Sequence, residues 1–147
     1  MKTYLYILTA FIMLGCSSDD DNNDPTQNQF ENIEADVQEG LWEISAFINA
    51  GEDDTFTFES YVFDFSGDGT VIASTDLLSA TGTWEYMGLN ENESAEIFQL
   101  SFAGSNPPEP FDRLTENWEI VAASSTTLQL VYETVDVNKT LTFTKVE

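Results

Sequence analysis

From Leu41 to the end of the chain, large apolar side chains recur at every second position, the period of a strand with one buried and one wet face. Trp42, Ile44, Ala46 and Ile48 alternate with Glu43, Ser45 and Asn49, which leaves Phe47 on the outer face. Residues 51–54, Gly-Glu-Asp-Asp, read as a turn. Phe56 and Phe58 resume the alternation, but Tyr61, Phe63 and Phe65 are out of step with them by one residue, so a bulge or break is expected near Glu59 and Ser60. Ser66-Gly67-Asp68-Gly69 then separates two strand-like runs, and two glycines beside an aspartate are the chemistry of a tight hairpin.

The same period continues downstream. Trp84 and Tyr86 share a face, as do Phe98, Leu100 and Phe102, with a polar, acidic turn over residues 88–94 between the two runs. Residues 104–110 make the longest loop, because their three prolines cannot donate to a strand ladder. Trp118, Ile120 and Ala122 face inward in the next run, then Leu128, Leu130 and Tyr132, then Leu141 and Phe143. Only ahead of Gly40 does the period change: Phe30, Ile33 and Val37 are spaced by three and four, which predicts one short helix ended by the glycine.

About eight short strands joined mostly by hairpin-length turns predict an all-β fold with sequential antiparallel pairing. Eight is about the number that closes into a barrel without an exposed edge. The expected architecture is therefore an antiparallel up-and-down barrel with one short N-terminal helix; a two-layer sandwich is the alternative.

The first sixteen residues follow another pattern. Lys2 precedes a mostly apolar stretch from Tyr4 to Leu14, then Gly15 and Cys16, the layout of a secretory signal. The stretch is too short to span a membrane, which takes roughly 20 apolar residues. Residues 17–29 contain no apolar side chain except the Pro25 ring and should behave as a tether. The chain thus divides into a signal segment (1–15), Cys16 with an acidic tether (16–29) and a folded domain (30–147).

Met13-Leu14-Gly15-Cys16 resembles the lipobox of bacterial lipoproteins. The resemblance implies a diacylglyceryl group on the Cys16 sulfur, cleavage before Cys16 and acylation of the new amino terminus, so that the membrane is a partner through the lipid. Ser17-Ser18-Asp19-Asp20-Asp21 looks like the export signal of Bacteroidetes-type surface lipoproteins. That implies the outer face of the outer membrane; the periplasmic face is the alternative.

Charge and composition narrow the function. With 27 acidic against 4 basic residues and a net charge of −23, the protein should be repelled by nucleic acid and anionic lipid headgroups. At 41% hydrophobic and 13% aromatic residues it is too apolar to stay unfolded. Cys16 is the only cysteine, so no disulfide is expected within the chain. Without histidine there is no catalytic triad and no imidazole metal site, and no phosphate-binding loop precedes a helix. Asp64-x-Ser66-x-Asp68-Gly69 imitates the opening of a calcium loop, but Thr75 stands where a bidentate Glu is needed. The acidic clusters read as solvated surface. No enzyme activity, cofactor or metal is expected.

Gly40-Leu41-Trp42-Glu43-Ile44, residues 61–71, Gly82-Thr83-Trp84, residues 117–121 and residues 141–145 together resemble lipocalin-like domains of flavobacterial surface lipoproteins, over roughly residues 30 to 147. The resemblance implies a calyx-like barrel and a small apolar ligand. Trp42, Phe63, Trp84, Phe98, Trp118 and Phe143 all fall at inward positions. They serve either as a filled core or as the walls of a cavity for a fatty, aromatic or glycan-like molecule. Two other roles remain open. One is a structural or protein-interaction role in a surface assembly, for which Phe47, Phe56, Phe58 and Phe111 would form an exposed patch. The other is carbohydrate binding, which needs a Trp or Tyr lying flat beside carboxylates in a groove.

Overall fold

The computed structural model describes residues 30, 32–104 and 109–147; the signal segment, Cys16, the acidic tether and the centre of the proline-rich loop lie outside them. Helix α1 (Ile33–Val37) comes first, followed by strands β1 (Trp42–Asn49), β2 (Glu52–Asp53), β3 (Val62–Phe65), β4 (Thr70–Ser74) and β5 (Ser79–Met87). The chain continues with β6 (Ile97–Ser101), β7 (Glu116–Ala123), β8 (Thr127–Glu133) and β9 (Asn138–Lys145). Among the described residues all nine strands belong to one antiparallel sheet, in the order β2-β1-β3-β4-β5-β6-β7-β8-β9, and β1 also pairs with β9. That last pairing, from Trp42 opposite Lys145 to Asn49 opposite Lys139, closes β1 and β3–β9 into an eight-stranded up-and-down barrel. The two-residue β2 is an extra strand hung on the end of β1.

Because consecutive strands alternate in direction, the connections fall into two sets. Helix α1, the 66–69 hairpin, the 88–96 loop and the 124–126 turn gather at the near end, where the chain enters the barrel. The 50–61 segment, the 75–78 turn, the described parts of the loop between β6 and β7 (102–104 and 109–115) and the 134–137 turn gather at the far end. Ile33 and Val37 of α1 are buried, and Phe30 packs beside them, so the three-and-four spacing puts one apolar stripe against the near end as expected. Gly40, at φ +78°, makes the turn into β1 with a backbone conformation that side chains disfavour. The hairpin forms where the glycines predict it: Ser66 N–H donates to Thr70 O at 2.8 Å, and the Asp68 carboxylate accepts the Thr70 N–H at 2.9 Å.

Two expectations fail on β1 and just after it. Ile44 faces Phe143 and Ala46 faces Thr142, so Ser45 is an extra residue with no partner opposite. One added residue moves every later side chain to the other face. Phe47, expected outside, is therefore buried, while Ala46 and Ile48, expected inside, are only half-buried. The second failure concerns Phe56 and Phe58, which are not in a strand: Thr55–Thr57 is a 3-10 turn that points Phe56 into solvent and Phe58 into the core. The break expected near Glu59 and Ser60 does occur, and beyond it Phe63 and Phe65 face inward. A similar bulge between Ile120 and Ala122 on β7 leaves Ala122 half-exposed.

Candidate functional site

All six predicted wall residues, Trp42, Phe63, Trp84, Phe98, Trp118 and Phe143, lie buried inside the barrel. Cross-strand pairing sets Trp42 opposite Phe63 and Phe98 opposite Trp118. Phe65, which is not among the six, is the hub between them. Its ring centroid lies 5.7 Å from Trp84, 5.7 Å from Phe98 and 5.6 Å from Phe143, each in an edge-to-face arrangement. Trp84 stacks on Phe98 at 5.6 Å, and Phe63 meets Phe143 at 5.2 Å. Such pairs add about 0.5–1.5 kcal/mol each beyond the area they bury. Sequence spacing could have found Phe65, since it lies two residues beyond Phe63 on the same face.

Each indole N–H is committed to a main-chain oxygen at one end of the barrel. Trp42 donates to Val37 O at 2.9 Å and Trp84 to Ser66 O at 2.9 Å, both at the near end. Trp118 donates to Leu114 O at 3.0 Å in the far-end loop. The tryptophans thus tie the end caps to the walls.

A second aromatic cluster closes the far end. The 3-10 turns Thr55–Thr57 and Phe111–Leu114 bring Phe58 and Phe111 together at 6.0 Å, with Phe47 against Phe58 at 5.5 Å and Phe102 and Tyr61 against Phe111 at 5.0 Å. Arg113 pairs with Asp54 at 3.3 Å across the two turns. Lys139 reaches both Glu116 at 2.6 Å and the Arg113 carbonyl at 3.2 Å. The exposed patch expected from Phe47, Phe56, Phe58 and Phe111 is not formed, because three of the four rings are consumed by this plug and Phe56 alone stays outside.

At the near end the buried carboxylate of Glu96, 2% exposed, receives the Phe30 N–H at 3.4 Å and the Tyr86 hydroxyl at 3.1 Å. Burial, then the charge of Glu96, pushes the Tyr86 phenol up to about 12. Glu96 was hidden in a stretch that reads as a solvated acidic turn, yet it is in phase with the inward series Phe98, Leu100 and Phe102.

On the outer wall, a groove of about 740 Å³ runs beside β1, lined by Glu43, Ser45, Asp53, Thr55, Phe56 and Glu59 among others. The Thr55 hydroxyl and then its N–H hold the Asp53 carboxyl below the usual carboxylate range. Among the described residues no three metal-ligating side chains converge. In the 66–69 hairpin, Asp68 is held low by the Thr70 N–H and then its hydroxyl.

These features define a closed eight-stranded antiparallel barrel with one additional strand, capped by a helix at one end and by aromatic turns at the other. No protein-family model matches the chain, and no curated protein matches it. Among solved structures it is similar to a DUF4847 family protein from Bacteroides vulgatus, with a TM-score of 0.51 and 16% sequence identity over 78% of this chain and 99% of that one. At that identity the likeness shows the fold.

Proposed function

We propose that this chain is a non-catalytic binding module of the bacterial outer membrane, fixed there by lipid on Cys16 and carrying its barrel on the outer face. The observation that carries the binding reading is the use of the interior as scaffold. Every buried side-chain nitrogen and oxygen among the described residues has a hydrogen-bond partner, and the rings touch one another from Trp84 through Phe65 and Phe143 to Phe63. Recognition then falls to the outer wall and the far end. The folded chain begins at the near end, where Phe30 is bonded to Glu96 and α1 sits against Trp42.

The anchor is tested by growing cells on labelled palmitate and comparing the wild type with Cys16→Ser, followed by protease treatment of intact cells. Label on the wild type only, with the barrel digested from outside, is the expected result. Recovery of soluble, unlabelled protein that retains residues 1–15 overturns the reading.

A second reading, a small apolar ligand among Trp42, Phe63, Trp84, Phe98, Trp118 and Phe143, is favoured by one observation. The far end is closed by the side chains of two short turns, Phe58 and Phe111 chief among them, and side chains part more easily than strand ladders. Titration with a long-chain fatty acid, read by tryptophan fluorescence, tests it. Saturable quenching that Phe111→Ala accelerates supports an interior ligand; an unchanged spectrum in both proteins removes it for that class.

A further inference from the structure

Strand β1 lacks a strand partner on one side over four positions. Its pairing with β3 stops at Glu43 opposite Val62, and its pairing with β2 begins at Ile48 opposite Asp53. Between them, residues 44–47 face no strand on that side among the described residues. At the upper end of the gap Phe47 is served by the connecting segment, its N–H bonded to Thr55 Oγ1 at 2.9 Å and its carbonyl to the Asp54 N–H at 2.9 Å. Nearer Ser45, the chain swings away into the 3-10 turn and leaves the groove open.

Three features of the lining point to one kind of occupant. Glu43, Asp53 and Glu59 are exposed carboxylates around the groove, and no basic side chain lines it. The two cations at that end, Arg113 and Lys139, are already paired with Asp54 and Glu116. At the lip, the Phe56 ring is 74% exposed although its neighbour Phe58 is wholly buried. A ring in water beside a groove offers an apolar contact that an occupant can bury.

We propose that this groove docks an extended segment of a basic partner protein, which lies alongside the open stretch of β1, sets an apolar side chain on Phe56 and directs Lys or Arg at Glu43, Asp53 and Glu59. Because the Phe47 N–H and carbonyl on that side already bond to Thr55 and Asp54, the partner is chosen by its side chains, through charge and the Phe56 contact. The negative field of the groove draws a cationic strand and rejects an acidic one. The proposal uses only the barrel and stands whether or not Cys16 carries lipid.

The test titrates the purified full chain with a labelled, alternating Lys-Val peptide, with a Glu-Val peptide as counterpart. Saturable binding of the first and none of the second is expected. Combining Glu43→Gln, Asp53→Asn and Glu59→Gln should weaken binding by about tenfold, since each exposed ion pair contributes only a few-fold in affinity. Phe56→Ala should weaken it by about tenfold, the loss typical of an anchor. Neutralising Asp64, Glu85 and Glu119, which are exposed elsewhere on the wall, should leave it within about twofold because they lie outside the contact. Equal losses in the two triple variants would show attraction by net charge alone and overturn the site. So would an unchanged affinity in Phe56→Ala, or no saturable binding at all. All the substituted side chains are exposed, and matching melting curves confirm that each variant folds.

Discussion

The indole Nε1–H of Trp42 donates to the main-chain oxygen of Val37 at 2.9 Å, joining the first strand of the barrel to the helix that closes its near end. The Lys145 ammonium lies 5.2 Å from the centroid of the same ring, so the start of β1, the end of β9 and the helix meet on one side chain. Trp42→Phe keeps most of the apolar bulk and deletes the donor. Leaving a buried carbonyl without its partner should cost about 1–3 kcal/mol, read as a lower urea midpoint. Faster exchange of the Asp36 amide, which bonds to Asn32 O within the helix, should accompany it.

Gly82 lies on β5 against the end of β6, beside Ser101 and Phe102. A Cβ there would stand 2.5 Å from Ser101 O and 2.8 Å from Phe102 Cδ1. The backbone oxygen cannot swing aside, so Gly82→Ala must spread the Thr83–Ser101 pairing. A loss of about 1–3 kcal/mol is expected, the range for overpacking, visible as a lower Tm. Thr81→Ala, on the exposed face of the same strand, should change stability by no more than about 0.5 kcal/mol.

Phe56 and Phe58 are two residues apart and opposite in fate. Phe58→Ala removes a ring packed on Phe47 and Phe111 and should cost about 3–5 kcal/mol. Phe56→Ala should stay within about 0.5 kcal/mol. Chemical denaturation of the two variants side by side checks the contrast.

Tyr86 makes the barrel sensitive to alkali. Its phenol is raised to about 12 in the folded protein by burial and the Glu96 charge, against a usual value of 10.0. Between these values the unfolded chain has lost the proton and the folded one retains it, so stability falls as pH rises. The contribution is complete below pH 10 and lost as pH climbs through about 12. Urea midpoints across that window should decline, and Tyr86→Phe should flatten the part of the decline due to this group. Ultraviolet titration should show Tyr86 ionising late, a component that Tyr86→Phe removes.

Much of this architecture is legible in single segments. The alternation of Trp42 with Glu43 and Ile44, the glycines of Ser66–Gly69 and the spacing of Phe30, Ile33 and Val37 each announce their element locally. All six residues chosen as inner wall are buried for the same reason. The departures from the local pattern arise between segments. The Ser45 bulge is a property of β1 against β9, and nothing in residues 42–49 marks it, so the local alternation places Phe47 on the wrong face. The far-end plug joins Phe58 to Phe111, rings from two loops distant along the chain. Glu96 is acidic in a run of acids, and only the folded barrel turns it inward.

By itself the amino-acid order determined most of the strands, their antiparallel succession, the helix and the overwhelming negative charge, because periodicity and composition are carried by neighbouring residues. Tertiary structure alone decided where the ladder of β1 is interrupted, which rings close the far end and which phenylalanine remains in water. Those outcomes depend on register between strands that meet only on closure, and a shift of one residue there exchanges the inside of a barrel for its outside.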